Sequence, residues 1–309
     1  MKAIVLALVI LLLCKVSLGQ GSAIPVVASG TINRIENFQS KYVKARNVDV
    51  WLPDGYSVSK KYSVLYMHDG QMLYDSSQTW NKKAWDVDDV LAVLLKEGKI
   101  NDVIVVGIWN GGNTRHADYF PQKPFESLTS DQQSFVNKQL KQAGRTTEPF
   151  TPISDSYLKF IVKELKPYID KKYSVYKNRA HTYIAGSSMG GLISIYAVCE
   201  YPKVFGGAAC LSTHWPGIFS VENNPIPSAF ESYLSKKLPS PSKHKIYFDY
   251  GDKTLDSLYG PLQRRVDAVM ETNGFNEKNW VTLFFPGKNH SEVAWRERFD
   301  IPMQFLLKK

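Results

Sequence analysis

Hydrophobic and polar positions along this chain follow two periods. From Gly30 to Ser40 and from Arg46 to Pro53, apolar residues recur at every second position, as in half-buried antiparallel strands, and Asp54-Gly55 marks a turn after them. Tyr62 to Met67 and Val103 to Trp109 are continuous apolar runs, which predict strands buried on both faces of a parallel sheet. His181 to Ala185, the stretch ending at Leu211, Lys245 to Tyr250 and Trp280 to Phe285 read as further strands. Helical periodicity marks Trp85 to Leu95, Tyr157 to Ile169, Leu192 to Glu200, Ser228 to Lys237, Gly260 to Thr272 and a closing helix from Val293 to Leu307. Strands alternating with helices predict an α/β fold: a mostly parallel sheet, helices on both faces and antiparallel strands at the N-terminus. No repeat or linker divides residues 20–309, so a single domain is expected. Thr114 to Asp155 breaks the rhythm, being polar and rich in Pro, Gln, Ser and Thr. It reads as an inserted loop, either a surface excursion or a flap over a substrate.

Residues 1–19 read as a cleavable signal peptide. Lys2 supplies the positive end, Ala3 to Leu13 an apolar stretch too short to span a bilayer, and Ser17-Leu18-Gly19 the small-residue cleavage site. The expectation is a secreted or periplasmic protein with no membrane attachment after cleavage. Cys14 leaves with the leader. The remaining Cys199 and Cys210 fall in apolar surroundings and are expected to be buried thiols, not a disulfide. Loss of Lys2 and Lys15 takes the formal net charge from +9 to +7. The basic residues are scattered among acids, the longest runs being Lys-Lys pairs, which argues against nucleic-acid binding and leaves room for attraction to anionic polysaccharide. Neither a metal cluster nor a cofactor motif is present in the sequence.

The chemistry is carried by Gly186-Ser187-Ser188-Met189-Gly190, a Gly-x-Ser-x-Gly set between a strand and a helix. A strand that turns sharply into a helix at a serine is a nucleophile elbow, and the glycines are expected where side chains would collide. Ser188 is then the candidate nucleophile, exposed at a helix N-terminus that favours developing negative charge. A serine hydroxyl needs a base oriented by an acid. His290 follows the last strand, where the α/β-hydrolase order of serine, acid, histidine places its base; His214 sits after an earlier strand and His244 precedes one. The acid is expected after Lys245 to Tyr250, where Asp252 and Asp256 both qualify by spacing. For the oxyanion, the N–H of Met189 follows the nucleophile, and that of Gln71 is expected from the loop His68-Asp69-Gly70-Gln71, with Asp69 fixing that loop. Trp109 and Trp215, at strand ends, are candidate stacking residues for a sugar or aryl ring, and Arg115 and His116 of the insertion are candidates to cap the same cleft.

Together, Asp69-Gly70-Gln71, Gly186-Ser187-Ser188-Met189-Gly190-Gly191, Tyr201-Pro202-x-x-Phe205-Gly206 and the late His290 resemble the putative-esterase family of α/β-hydrolases. That family includes feruloyl and acetyl-xylan esterases, siderophore-lactone esterases, formylglutathione hydrolase and mycolyl transferases. The resemblance implies an α/β-hydrolase fold, a cofactor-free acyl-enzyme mechanism, and Asp256 as the acid, since it precedes a Ser-Leu-x-Gly-like helix start at Ser257 to Gly260. With the leader and the aromatics, it implies a secreted carbohydrate esterase that removes feruloyl or acetyl groups from plant polysaccharide. A siderophore trilactone esterase, an acyltransferase of the same fold and an inactive binding module are the alternatives.

Overall fold

The structure, a computed structural model, describes residues 22–146 and 149–308. The leader at 1–19 lies outside the described residues. Eight strands form one sheet: β1 (Thr31–Phe38), β2 (Arg46–Leu52), β3 (Ser63–His68), β4 (Val103–Ile108), β5 (Thr182–Ser187), β6 (Gly207–Leu211), β7 (Lys245–Tyr250) and β8 (Trp280–Phe284). Their order is β1-β2-β4-β3-β5-β6-β7-β8. β2 runs antiparallel to β1 and to β4, and all neighbours from β4 to β8 are parallel. Every strand expected from the hydrophobic pattern is present.

The helices are α1 (Val87–Lys96), α2 (Arg115–Tyr119), α3 (Gln122–Glu126), α4 (Ser130–Gln142), α5 (Ser154–Phe160), α6 (Lys166–Lys172), α7 (Met189–Glu200), α8 (Ile226–Lys237), α9 (Tyr259–Thr272), α10 (Glu292–Arg296) and α11 (Asp300–Leu307). Successive side chains in a strand point to opposite faces, so each parallel strand feeds two cores. In β3, Val64 and Tyr66 join Phe160, Leu192, Phe230 and Met270 on one face. Leu65 and Met67 join Leu91, Leu94, Trp295 and Met303 on the other. α7 is apolar all round and buried from Met189 to Cys199, which explains its lack of an amphipathic stripe. With helices covering both faces of a largely parallel sheet, this is the α/β-hydrolase arrangement.

Two expectations need correction. The segment Thr114 to Asp155 is not a loop: it holds α2, α3 and α4, and its Phe120, Phe125 and Phe150 pack on one another with centroids 5.5–5.8 Å apart. The overlooked signal is a capping box, Thr129 accepting from the Gln132 N–H while the Gln132 side chain accepts from the Thr129 N–H. The closing helix is also broken in two. Between α10 and α11, Arg298 turns inward to Asp249 at 2.8 and 3.0 Å. Pro302 lies in the first turn of α11, where a missing N–H costs no helical bond.

Candidate active site

β5 ends at Ser187 and α7 begins at Met189, so Ser188 alone makes the turn. Its backbone sits at φ 58°, ψ −122°, a strained conformation for a residue with a Cβ, costing about 1–3 kcal/mol. Surrounding bonds hold it there: Ser188 N–H donates to the Leu211 carbonyl at 2.9 Å, and His214 N–H donates to the Ser188 carbonyl at 3.2 Å. A Cβ on Gly186 would lie 2.9 Å from the Gly190 backbone, so that glycine is required by close approach. Gly190 is not: a Cβ there would meet nothing nearer than 3.5 Å. Met189 occupies the first turn of α7, where amide groups have no acceptor within the helix.

His290 and Asp256 come together from loops after β8 and β7. His290 Nδ1 lies 2.6 Å from Asp256 Oδ1. Asp256 Oδ2 accepts from Ser212 Oγ at 2.6 Å and from the Gly251 N–H at 2.7 Å. Burial pushes the Asp256 pKa up, but its three donors outweigh burial and hold it below the ordinary carboxylate value. Asp252 is elsewhere. It accepts from the Gly287 N–H at 2.8 Å, and so shapes the loop carrying His290 without reaching the imidazole. The Trp295 ring stands edge-on to His290 at 5.0 Å, and its Nε1 donates to Ser212 Oγ at 2.9 Å.

Gln71 lies in a single 3-10 turn, Gly70–Met72, directly after β3. A Cβ on Gly70 would fall 2.5 Å from the Gly107 carbonyl carbon, so the glycine lets this turn press against β4. Gln71 Oε1 accepts from the Asn110 N–H at 3.1 Å. Asp69 does the loop-fixing expected of it: its carboxylate accepts two bonds from Arg115 at 2.7 Å and one from Asn110 Nδ2 at 2.7 Å. Burial raises the Asp69 pKa, yet Arg115 and Asn110 bring it below the ordinary value.

A cleft of about 1020 Å³ opens between these loops, with Asp69 but not Gln71 among its lining residues. Ser188, Met189 and His290 line it, with Arg115, His116 and Arg145 from the helical insertion. Its aromatic walls are not the tryptophans expected. Trp109 turns the other way, donating to Asp49 at 2.8 Å beneath the Arg34 guanidinium, 4.7 Å from its ring. Trp215 is buried in the core, where its Nε1 donates to Gln263 at 2.7 Å. Trp80, Trp85, Trp295 and Phe219 line the cleft instead. Trp80 is 83% exposed, an unusual position for an indole without a role at the surface. Among the described residues, no group of three His, Cys, Asp or Glu is placed to hold a metal, and no helix is long and apolar enough to cross a membrane. Cys199 and Cys210 are both buried and free.

The putative-esterase family profile matches residues 40–300. The chain belongs to this family. It is 24% identical over 271 residues to the uncharacterised YbbA of Bacillus subtilis, covering 85% of this chain and 93% of that one. It is 23% identical over 291 residues to an endo-1,4-beta-xylanase/feruloyl esterase of Xylanibacter ruminicola, covering 90% of this chain and 32% of the relative. The chain thus spans about a third of that protein, and it spans 60% of another B. subtilis relative, the uncharacterised YjcH. Among solved structures, the CE1 ferulic acid esterase AmCE1/Fae1A from Anaeromyces mucronatus superposes with a TM-score of 0.63 at 21% identity, over 90% of this chain and 91% of that one. The enterobactin esterase FES from Shigella flexneri superposes with a TM-score of 0.63 at 15% identity, over 91% of this chain and 60% of that one. At these identities the structural likeness is one of fold.

Proposed function

We propose that this member of the esterase family is a secreted serine carboxylic-ester hydrolase that removes feruloyl or acetyl groups from plant polysaccharide. The observation that carries the reading is the 2.6 Å bond between His290 and Asp256, opening on the same cleft as a serine held in a strained elbow. In this reading His290 takes the Ser188 proton, and Asp256 holds the imidazole with Nδ1 protonated and stabilises the cation that forms. Ser188 Oγ attacks the ester carbonyl, and the Met189 and Gln71 amides receive the oxyanion. The alcohol leaves with the proton from His290. Water activated by the same imidazole then releases the acid from Ser188. No cofactor enters these steps.

Three features support the substrate class: the feruloyl esterase activity of the Xylanibacter relative and of AmCE1/Fae1A, the aromatic cleft walls, and the leader expected at residues 1–19. A second reading, a siderophore trilactone esterase, is favoured by Arg115, Arg145 and Lys83 on the cleft and by the likeness to FES. It is weakened because Arg115 is already paired with Asp69, and Lys288, on the His290 loop, with Glu297 at 2.6 Å. Hydrolysis of methyl ferulate, an acetylated xylan and a ferric trilactone siderophore by protein purified from the exported fraction tests both. Cleavage of either of the first two is expected. Preference for the trilactone would replace the first reading with the second. Transfer of the acyl group to an added sugar in place of water would identify an acyltransferase, and inertness toward even 4-nitrophenyl acetate would leave a binding module.

A further inference from the structure

The helical insertion reaches the cleft through α2, which meets the turn after β3 at two points. Arg115 and Tyr119 are four residues apart, so they share one face of that helix. Arg115 Nε and Nη2 donate to Asp69 Oδ1 and Oδ2, each at 2.7 Å. Tyr119 Oη accepts from the Asp69 N–H at 3.2 Å. The Arg115 guanidinium lies 5.1 Å from the Tyr119 ring, so the two holding groups also brace each other. The helix is itself tied down. Asp118 accepts from Arg46 of β2 at 3.1 Å and from Thr114 at 2.9 Å, and the Ala117 carbonyl accepts from the Ile153 N–H at 2.9 Å.

Asp69 needs such a hold. Its backbone sits at φ 56°, ψ 45°, a left-handed conformation that residues with a Cβ rarely keep unaided. It also heads the turn, for the Met72 N–H donates to the Asp69 carbonyl at 2.8 Å and closes the chain over Gly70 and Gln71. The same carboxylate borders the nucleophile elbow, since a Cβ on Gly190 would lie 3.8 Å from Asp69 Oδ2. Both Asp69 and Ser188 line the cleft. A shift of Asp69 therefore moves the turn that carries the Gln71 amide relative to Ser188.

We propose that Arg115 and Tyr119 are positioning residues of the esterase: they hold Asp69 at its carboxylate and its N–H, so that the turn carrying the Gln71 amide keeps its place against the elbow. This rests on the serine-esterase reading and deepens it by giving the helical insertion a part in the chemical step. Arg115 acts through Asp69 and not by contact with the substrate. An oxyanion exists only once Ser188 Oγ has added to the ester carbonyl, so a displaced donor slows that step and leaves ground-state binding alone. The signature is a fall in kcat at constant KM.

Hydrolysis of 4-nitrophenyl acetate, a small neutral ester with no charge for Arg115 to hold, tests this. Arg115→Met is expected to lower kcat between about tenfold and a hundredfold, with KM within about twofold of the wild type. Affinity for a trifluoromethyl ketone is expected to fall by the same factor, because the ketone carbon takes the Ser188 oxygen, the proton passes to His290, and the ketone oxygen becomes the oxyanion. Asp69→Gly removes the carboxylate and suits the positive φ. In that background Arg115→Met is expected to cost less than about twofold more, since its partner is already gone. Tyr119→Phe keeps the buried ring and is expected to lower kcat about threefold to tenfold. An unchanged kcat in folded Arg115→Met overturns the proposal, and should that variant fail to melt cooperatively, an unchanged kcat in Tyr119→Phe does so. A raised KM with kcat kept makes Arg115 a substrate contact and overturns it too, as does an equal loss from Arg115→Met with and without Asp69; all three leave the esterase reading standing. Wild-type protein inert toward the ester overturns that reading, and the positioning with it.

Discussion

Ser212 Oγ donates to Asp256 Oδ2 at 2.6 Å, and it accepts in turn from Trp295 Nε1 at 2.9 Å and Arg298 Nη2 at 3.0 Å. Arg298 is itself bonded through two nitrogens to the buried Asp249. The carboxylate beneath His290 is therefore connected, through one hydroxyl, to a buried ion pair at the end of β7. Removing that hydroxyl takes one donor from Asp256, and a hydrogen bond to a charged group is worth about 1.5–3 kcal/mol. Ser212→Ala is expected to lower kcat about tenfold and to raise the pH at which the acid limb of the rate profile sets in. A rate profile superimposable on the wild type would show that the hydroxyl does not tune the acid.

Ser188→Ala is expected to abolish ester hydrolysis while leaving the melting temperature within a few degrees. The elbow backbone is held by the Leu211 and His214 bonds and by the Gly186–Gly190 contact, none of which uses the Ser188 side chain. Turnover persisting in a rigorously purified variant would remove Ser188 from the mechanism.

The two aspartates after β7 should separate sharply. Asp256→Asn leaves the shape and removes the charge that orients His290, a change expected to lower kcat by about 10⁴-fold. Asp252→Asn alters a contact to the Gly287 amide and a long, exposed ion pair with Lys253, and should stay within about fivefold of the wild type. Equal losses in the two variants would mean that Asp256 acts through the fold and not through the imidazole.

Acid stability follows from buried histidines. Burial is the main cause that lowers His68 and His116 to about 3, and it lowers His214 as well. An unfolded histidine titrates near 6.5, so below that pH the unfolded chain holds protons that the folded chain excludes. Their stabilising effect is complete above pH 6.5 and is lost as the pH falls from 6.5 toward 3. Each such histidine contributes a slope of about 1.4 kcal/mol per pH unit in that window. Urea denaturation between pH 7.5 and 4.5 should show the decline, and His116→Phe should flatten it by one histidine's share. A variant with the full wild-type slope would place that proton elsewhere.

The strands were legible because a parallel sheet buries both faces and writes itself as unbroken apolar runs, as in Val103 to Ile108. The insertion was not legible, because α2 and α3 have five residues each, α4 is largely polar, and the anchor joins Phe120 and Phe125 to Phe150, distant in sequence. Trp109 and Trp215 looked alike at strand ends. Yet one turns out to Arg34 and Asp49 and the other inward to Gln263. Which way a strand-end side chain turns depends on neighbours brought by other strands, and no local pattern carries that.

What the chain determined by itself is the order of elements and the chemistry available: a serine between two glycines, a late histidine, and two aspartates after one strand. These are local properties, set by hydrophobic period and turn geometry. The tertiary structure decided which aspartate meets His290, which tryptophans wall the cleft, and that two neutral histidines stand beside the serine. Each of these depends on distances between loops well separated in sequence, as from Asp256 to His290. Such distances are settled by the packing of the whole sheet.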